Sequence, residues 1–376
     1  MQKVNVLFVI IQMALGGSEQ LVLNIIRNLD RKRFSPSVAW FFGDAILEEF
    51  SALKIPLFHV PKAKSFDFNT MQHLATILTE NDIHVVNAHH FMSMVYSFYG
   101  CKVKRQAKLI YTEHSEWEVG AIPRRWQVFG TCLLRCVDRT VGVSPAVSDC
   151  LQRKFFILPS KLGTIKNGVD LKFFSNVQNK LIIKKELGVG SDDKIIGIVA
   201  NLKKVKNHLF LLNAFNELVG ECDNVKLMLI GQGFKDDHDN TEEEIRDFVE
   251  ANTLRNKVLL LGYRSDIAPL LSVMDIFCLT SKMEGLPISL IEAMASGLAV
   301  VGSDVPGIKD VIEHGVNGFL IPQNNKEALK NALLDLVSND SLRVSMGKQS
   351  KLLAKSYSME SCIKNYEKLF SELSLL

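Results

Sequence analysis

The chain has 376 residues, 47% hydrophobic and 23% charged, which excludes a disordered chain, a collagen-like chain and a small disulfide scaffold. Its 44 basic and 41 acidic side chains give a net charge of only +3, which argues against a nucleic-acid-binding protein. No apolar run reaches the roughly 18 residues of a membrane span. Seven cysteines without a CxxC pair suit free, mostly buried thiols in a reducing cytosol, and we interpret Cys132 and Cys136 as core residues of one helix.

The first half of the chain alternates strand patterns with helix patterns. A continuous apolar run over 4–11 predicts a strand buried on both faces. Ser18 is predicted to be the N-cap of a helix that reaches Leu29 and carries its apolar residues on one face. Further strands are predicted over 37–42, 85–87, 109–112 and 140–143. This alternation indicates a parallel sheet with helices on both faces.

The second half begins in the same way, with a buried strand over 194–200, a polar loop and a helix from His208 to Val219. A charged helix is then predicted over 239–252, and strands are predicted over 225–230, 258–261, 275–279 and 298–302. The pattern predicts an α/β protein with two doubly wound, Rossmann-like domains. We assign them to residues 1–172 and 173–358, followed by a C-terminal helix over 359–376 that packs back on the first domain. Ligands of open parallel sheets bind beyond the carboxyl ends of the strands, so we expect an active site in a cleft between two facing domains.

The stretch 281–297 is the most informative for function, because it follows one predicted strand and opens a helix. Glu284 lies in the loop, and Glu292 lies about one and a half turns into the helix. Between them, the helix start leaves backbone amides free to bind an anion, namely those of Gly285, Leu286 and Ile288. Carboxylates beside such amides can accept hydrogen bonds from sugar or ribose hydroxyls. Taken singly, each glutamate could equally be a solvated surface charge.

This stretch resembles the E-x7-E signature of the family 4 group of retaining, nucleotide-sugar-dependent glycosyltransferases, which have the two-domain GT-B fold. The resemblance extends along most of the chain. Gly16-Gly17-Ser18-Glu19 resembles the family's GG-x-E loop, and Asn87-Ala88-His89 resembles its His-Ala-His strand end. Other segments similar to family motifs lie at 142–144, 167–170, 302–307 and 315–318.

The resemblance implies a role for each matching residue of the second domain. Glu284 corresponds to the glutamate that contacts the donor sugar, and Glu292 to the one that binds the ribose. The amides of Gly285, Leu286 and Ile288 would hold the diphosphate. Lys206 matches the lysine that neutralises the leaving diphosphate. The family's usual arginine is Asn201 here, and Lys203 is the substitute that we assign.

In the first domain, the resemblance implies that Gly16 and Gly17 belong to the donor site and that His114 lies near the donor sugar. His89 is assigned to the acceptor side. A G-x-G-x-x-G loop is absent from the sequence, which disfavours a nicotinamide dehydrogenase. We expect no metal ion or other cofactor, because no Asp-x-Asp stands at a predicted strand end.

The small net charge hides an uneven distribution. Residues 1–170 contain 20 basic and 14 acidic side chains, and the remaining residues contain 24 and 27. Within 99–166 there are 12 basic and 5 acidic residues, interleaved with aromatic residues such as Trp117, Trp126 and Phe129. Such a surface suits peripheral contact with an anionic membrane, although a solvated basic surface over core aromatics explains it equally.

The sequence therefore predicts a retaining hexosyltransferase that moves a sugar from a nucleotide-diphosphate donor, a UDP-sugar, to a glycan or lipid-linked glycan acceptor. By resemblance, the expected setting is bacterial surface polysaccharide synthesis, such as lipopolysaccharide or capsule, in the cytoplasm or at the inner face of the cytoplasmic membrane. Two alternatives stay open. One is a nucleotide-sugar epimerase of the same architecture, which would release product without an acceptor. The other is a non-catalytic sugar-nucleotide-binding or assembly protein.

Overall fold

A computed structural model describes residues 3–14, 16–62, 66–175, 179–234 and 237–374. The chain divides into two compact units. The N-terminal unit comprises residues 1–168 together with 359–376, and the C-terminal unit comprises residues 169–358. The division lies four residues before the boundary proposed from the sequence, in the segment that follows the Asn167-Gly168 turn.

The N-terminal unit is built on a seven-stranded sheet in the order β3-β2-β1-β4-β5-β6-β7, and every neighbouring pair is parallel. Its strands are β1 (Val4–Gln12), β2 (Phe34–Phe42), β3 (Leu57–His59), β4 (Val85–His89), β5 (Lys108–Glu113), β6 (Arg139–Gly142) and β7 (Leu162–Thr164). The long apolar runs predicted as strands are strands. Strands β3 and β7 are only three residues long, too short for a periodic pattern to reveal them.

Helices connect these strands. They are α1 (Gly17–Asn28), α2 (Leu47–Ser51), α3 (Phe68–Glu80), α4 (Phe91–Phe98), α5 (Glu116–Ala121), α6 (Arg124–Cys136) and α7 (Pro145–Phe155), with short helical turns at Tyr99–Val103 and Pro159–Lys161. The predicted N-cap of α1 is wrong, because Gly16 takes that position with extended backbone. Ser18 lies inside the first turn, where its hydroxyl donates to Oε2 of Glu19 at 2.8 Å.

The C-terminal unit contains a six-stranded sheet in the order β10-β9-β8-β11-β12-β13, again with parallel neighbours. Its strands are β8 (Lys194–Val199), β9 (Val225–Ile230), β10 (Val258–Leu260), β11 (Ile276–Leu279), β12 (Ala299–Ser303) and β13 (Gly318–Ile321). Its helices are α8 (Leu171–Ser175), α9 (Lys180–Glu186), α10 (His208–Val219), α11 (Glu242–Ala251), α12 (Ile267–Val273), α13 (Ile288–Ser296), α14 (Lys326–Ser338) and α15 (Asp340–Ala354), with short turns at Lys204–Lys206 and Lys355–Tyr357. Helix α10 has the bounds that its apolar periodicity predicts.

The last helix, α16 (Met359–Ser374), belongs to the N-terminal unit, although the C-terminal unit precedes it in the chain. Its Phe370 is fully buried, and its ring lies edge-on to Phe8 at 5.9 Å and to Phe34 at 6.1 Å between centroids. Glu367 accepts a hydrogen bond from the Asp30 amide at 2.8 Å. The amphipathic tail thus covers the core of the first sheet.

The strand orders place particular loops side by side at the carboxyl edge of each sheet. In the N-terminal unit, β1, β4 and β5 are adjacent, and in the C-terminal unit β8, β11 and β12 are adjacent. Residues that follow these strands can therefore form a site even when they are far apart in the chain.

Two observations concern the surface. Cys132 and Cys136 are exposed on α6, so the interpretation of both as core residues is wrong, because this side of the helix has no covering element. Cys101, Cys278 and Cys362 are buried. Within the described ranges, no helix combines the length and the hydropathy needed to cross a membrane.

Candidate active site

In the C-terminal unit, the loops after β8 and β11 are tied together by hydrogen bonds. The Thr280 hydroxyl donates to the carbonyl oxygens of Lys206 and Asn207, each at 3.2 Å. The Lys282 amide donates to the carbonyl oxygen of Val205 at 2.8 Å. The two predicted donor-site segments are therefore held in a fixed register by main-chain and buried hydroxyl contacts.

This register brings Lys206 and Glu284 together. The Nζ atom of Lys206 lies 2.6 Å from Oε1 of Glu284, and the hydroxyl of Ser281 donates to the same oxygen at 2.6 Å. Ser281 is fully buried, and only about 10% of the Glu284 side chain is exposed. Two donors on one carboxylate oxygen set the orientation of the group, and they leave its other oxygen for a ligand.

Helix α13 begins directly after this loop. Pro287 occupies its N-cap position, and Gly297 ends it in the left-handed conformation at φ +84°. Gly285 and Leu286 precede the cap and are buried, while Ile288 is the first helical residue. Of the predicted anion-binding amides, that of Ile288 therefore lies in the first turn of α13, where the helix dipole favours negative charge, and those of Gly285 and Leu286 lie in the loop just before it.

Glu292 lies in the second turn of α13 and no hydrogen bond joins it to Lys206 or Glu284. Part of its side chain is accessible, but protein atoms surround its carboxyl group densely. This burial raises the pKa of Glu292 to about 7. A carboxyl group of this kind gains from a ligand hydroxyl that replaces its lost hydration.

A neighbouring loop supports the Glu284 segment from behind. Gly307 has φ +79°, and a Cβ atom at this position would lie 2.4 Å from the carbonyl oxygen of Gly285 and 2.8 Å from that of Glu284. No side chain fits such a gap, so residue 307 must be glycine for both conformational and steric reasons.

Lys203 does not join Lys206 and Glu284 in this arrangement. Its Nζ atom lies 2.7 Å from Oδ2 of Asp237, and this hydrogen bond lowers the pKa of Asp237. About 38% of the Lys203 side chain is exposed, so the pair is a surface ion pair that a competing anion can separate.

In the N-terminal unit, histidines gather where β4 and β5 end. Nδ1 of His89 lies 2.8 Å from Nε2 of His114, and His89 is completely buried. His90 contacts two carboxylates, with Nδ1 2.5 Å from Oε2 of Glu118 and 3.6 Å from Oε1 of Glu113. The predicted residues His89 and His114 are thus in direct contact.

The loop after β1 lies at the same carboxyl edge of the N-terminal sheet. A Cβ atom on Gly16 would lie 2.3 Å from Oε2 of Glu19, so the carboxylate of Glu19 packs directly on the glycine. Gly17 is the first residue of α1. Glu19 is buried, and this burial raises its pKa despite the nearby positive charge of His90. The Gly-Gly-x-Glu pattern therefore has a local steric reason.

One group in the described part of the chain has the spacing to hold a metal ion. The ligand atoms of His90, Glu113 and Glu118 lie within 4.8 Å of one another. Glu113 already accepts hydrogen bonds from the Tyr111 hydroxyl at 2.6 Å and the His114 amide at 2.7 Å, so a metal ion would have to compete with them.

Sequence reasoning missed several members of these two clusters, namely Ser281, His90, Glu113 and Glu118. Ser281 had a weak signal, because a hydroxyl three residues before a loop carboxylate can cap it. His90 had a weak signal, because adjacent histidines can suggest a metal site, but no acidic residue is spaced beside them in the sequence. Glu113 and Glu118 carried no signal, because only the pairing of β4 with β5 brings residues 90, 113 and 118 together.

Comparison with known proteins agrees with this fold. The model described as Glycosyltransferase Family 4 matches residues 15–173, and the model described as Glycosyl transferases group 1 matches residues 179–353. N-acetyl-alpha-D-glucosaminyl L-malate synthase of Bacillus anthracis is 24% identical over 341 residues, which are 89% of this chain and 84% of that protein. UDP-Gal:alpha-D-GlcNAc-diphosphoundecaprenol alpha-1,3-galactosyltransferase of Escherichia coli is 27% identical over 219 residues, covering 56% of this chain and 54% of that enzyme.

Among solved structures, Anabaena Alr3699/HepE in complex with UDP superimposes with a TM-score of 0.86 at 20% identity, over 98% of this chain and all of that one. The same protein was also solved with UDP-glucose. At this identity the likeness establishes the fold. The two family models together cover nearly the whole chain, so this protein belongs to the family 4 glycosyltransferases and has their GT-B fold of two Rossmann-like domains.

Proposed function

We propose that this glycosyltransferase moves a sugar from a UDP-sugar to a hydroxyl of a glycan or lipid-linked glycan, with retention at the anomeric carbon. The observation that carries the proposal is the Lys206–Glu284 pair beside the start of α13. It joins a cation, an oriented carboxylate and helix-start amides, which is the set of groups that a nucleotide diphosphate and its sugar require.

The leaving diphosphate gains negative charge as the sugar–phosphate bond breaks. Lys206 and the amides near Gly285, Leu286 and Ile288 are fixed before the reaction, so they stabilise this charge without reorganising. Lys203 adds a second cation when it exchanges Asp237 for a phosphate oxygen. Lysine supplies charge but not the planar fork of the arginine that the family usually carries.

Glu284 accepts a hydrogen bond from a hydroxyl of the transferred sugar through the oxygen that Lys206 and Ser281 leave free. The two hydrogen bonds draw negative charge away from the carboxylate, which makes Glu284 a weaker nucleophile than a free carboxylate. Retention then follows from departure and attack on one face. The bond from the anomeric carbon to the diphosphate breaks, the acceptor oxygen bonds to that carbon, and the acceptor proton passes to the leaving phosphate oxygen.

The choice of UDP and of a surface glycan as acceptor is supported by proteins of similar sequence or fold. The Anabaena protein was solved with UDP and with UDP-glucose, and the name of the Escherichia coli enzyme specifies a UDP-galactose donor and a diphosphoundecaprenol acceptor. We infer a role in bacterial surface polysaccharide synthesis and a reaction without a metal cofactor.

A thermal-shift screen of the whole chain against UDP, GDP, ADP and dTDP, followed by their common sugar conjugates, tests the donor class. We expect UDP to raise the melting temperature most and one UDP-sugar to raise it further. Stabilisation by a different nucleotide, with none by UDP, would overturn the UDP assignment.

Glu292→Ala tests the ribose contact within the same screen. We expect a large loss of UDP affinity, measured by isothermal titration calorimetry, with little change in turnover at saturating donor. Glu360→Ala, which removes an exposed carboxylate of α16, serves as the matched control. Equal UDP affinity in all three proteins would contradict the role of Glu292.

A further inference from the structure

Three histidines meet at the carboxyl edge of the first sheet, and the reaction steps proposed above use none of them. His89 ends β4, His90 follows it, and His114 follows β5. The ring centroids of His90 and His114 lie 4.8 Å apart, and those of His89 and His114 lie 5.1 Å apart. Positive charges at such distances repel, so the three rings are not all positively charged.

His90 is the ring that carries the charge. Burial by itself would lower its pKa, but the hydrogen bonds and negative charges of Glu113 and Glu118 outweigh burial and raise the pKa of His90 well above its ordinary value. The 2.5 Å contact with Glu118 is that of a charge-assisted hydrogen bond.

The two other rings are neutral. Burial, with the nearby charge of His90, lowers the pKa of His89 to about 3 and lowers that of His114 well below its ordinary value. The planes of the two rings are inclined to each other by only 26°, which lets one N–H lie close to both ring planes. The 2.8 Å contact is therefore a hydrogen bond between two neutral imidazoles.

The surrounding groups hold this charge pattern in place. Glu113 accepts from the Tyr111 hydroxyl and from the His114 amide, so its carboxylate is fixed on both oxygens. The titratable groups around the histidines come from three elements, namely Glu19 from α1, Tyr111 and Glu113 from β5, and Glu118 from α5.

The backbone of His90 is strained as well. Its φ of +69° lies in the left-handed region, which is unfavourable for a residue other than glycine. The His90 amide is held by the carbonyl oxygen of Thr112 at 3.0 Å. Such strain persists only where neighbouring contacts demand the conformation.

We propose that His89 and His90 are positioning residues for His114. The His90 imidazolium, locked between Glu113 and Glu118, adds to burial in keeping His114 uncharged, and His89 fixes the direction of its ring. In this proposal the buried His89 orients the ring of His114, instead of the acceptor-side role that the sequence suggested for it. The proposal rests on the proposed function and on the place near the donor sugar that the family resemblance implies for His114. An uncharged ring can hydrogen-bond a sugar hydroxyl without adding positive charge near an anomeric carbon that itself becomes positive.

Histidine-labelled NMR of the full chain tests the charge pattern without any substrate, with His114→Gln used to assign the His114 signal. In the native protein, we expect His114 to stay neutral between pH 5 and 8. In His90→Gln the cation is gone and two carboxylates remain, so His114 should take up a proton within that range. Titration of His114 near its ordinary pKa in the native protein, or an unchanged His114 in His90→Gln, would overturn the proposal.

A second pair of variants keeps the test decisive if His90→Gln does not fold. Glu118→Gln removes one partner of His90, and Glu116→Gln changes the charge of the same helix without that contact. We expect His90 to lose its proton at a lower pH in Glu118→Gln only. Equal behaviour of His90 in both variants would refute the ion pair.

Kinetics with UDP-glucose as the probe, measured as UDP release, test the positioning of the ring. His89→Leu removes the ring-to-ring hydrogen bond, and His89→Asn restores a hydrogen-bonding group near Nδ1. We expect kcat/KM to fall about tenfold or more in His89→Leu and to recover in His89→Asn. In His90→Gln, we expect kcat/KM to fall about tenfold for each pH unit below the new pKa of His114, a pH dependence that the native protein lacks.

The two kinds of measurement separate this proposal from the proposed function. If the NMR titrations behave as expected while activity is unchanged in every variant, the cluster exists but His114 has no part in the reaction. If His89→Asn is as impaired as His89→Leu, with a flat pH profile in each, His89 has only a structural role.

Discussion

At the scale of single residues, the site depends on charges that are paired before any ligand arrives. Lys206 is bound to Glu284, Lys203 to Asp237 and His90 to Glu118. A nucleotide diphosphate that binds as we propose would therefore exchange partners with these lysines rather than meet free cations. Pairing of this kind keeps each side chain in place at the cost of part of its attraction for the ligand.

Lys206→Ala should reduce kcat by about 100-fold or more, because it removes a fixed cation from the leaving diphosphate. Steady-state UDP release measures the loss, and the circular-dichroism melting curve checks that the fold is intact. Lys204→Ala is the matched control, since Lys204 lies in the same turn but its side chain is exposed and bonded to the His238 carbonyl. Equal turnover in the native protein and Lys206→Ala would contradict the assignment.

Glu292 should also make stability depend on pH. Its pKa is raised by burial to about 7 from 4.5, so the folded state holds a proton that the unfolded state releases between these values. Its contribution to stability is therefore greatest below about pH 4.5 and is lost as the pH rises through 7.

Replacing Glu292 with glutamine, whose amide does not ionise, should remove this dependence of stability on pH. The melting temperature of Glu292→Gln should fall less than that of the native protein between pH 4.5 and 8, as measured by calorimetry at several pH values. Glu360→Gln, at an exposed position, should follow the native curve. Parallel curves for the native protein and Glu292→Gln would refute the raised pKa.

At the scale of elements, the loop that carries Glu284 is pressed between neighbouring loops of the C-terminal unit. The segment at 281–287 is tied to the β8 loop by Thr280 and Lys282 and rests on Gly307. The rigidity of such loops, more than the helix start alone, fixes the position of Glu284.

Gly307→Ala tests this support. We expect a loss of about 1–2 kcal/mol from the left-handed backbone, a further loss from the clash with the carbonyl oxygens of Glu284 and Gly285, and a strong fall in turnover. Gly315→Ala is a matched control, because Gly315 has a similar φ of +77° but open space around its Cβ position. Urea unfolding measures the stability of both variants, and UDP release measures their turnover. Equal stability and equal turnover in the two variants would contradict the role of Gly307 in supporting the loop.

At the scale of the whole molecule, part of the excess positive charge of the N-terminal unit lies on the exposed side of α6. The exposed side of α6 carries Val128, Phe129, Cys132 and Cys136, flanked by Arg124 and Arg125. Val128 is 70% exposed and Phe129 is 43% exposed. An apolar stripe between arginines suits the interface of an anionic membrane, and we propose that this face makes the peripheral contact.

Arg124→Gln combined with Arg125→Gln should weaken binding to phosphatidylglycerol-containing vesicles about 30-fold, at roughly 1 kcal/mol for each arginine. Vesicle co-sedimentation at low and high salt measures this, and binding of the native protein should fall with salt. Lys348→Gln with Lys355→Gln makes the same charge change on the C-terminal unit and should have no effect. Salt-independent recovery in the supernatant would contradict the membrane contact.

The elements of this fold could largely be predicted because their signals are local. Strand β9 and helix α10 have their predicted bounds, since burial on both faces and a 3.6-residue period are visible in a few residues of sequence. Lys206 and Glu284 could be chosen because their motifs resemble those of a known family. The exposure of Cys132 could not be predicted, because a helix with apolar residues on two sides does not reveal which side is covered.

What the sequence determined by itself was the order of elements, and it also supplied the two motifs that we propose for the donor site, because both are written in short, contiguous stretches. What only the tertiary structure decided was which charges meet. The pairing of β4 with β5 brings His89, His90, Glu113 and His114 together, and the adjacency of β8 and β11 brings Lys206 to Glu284. Hydrogen bonds and ionisation act over a few ångströms in space, so they follow from strand order and not from distance along the chain.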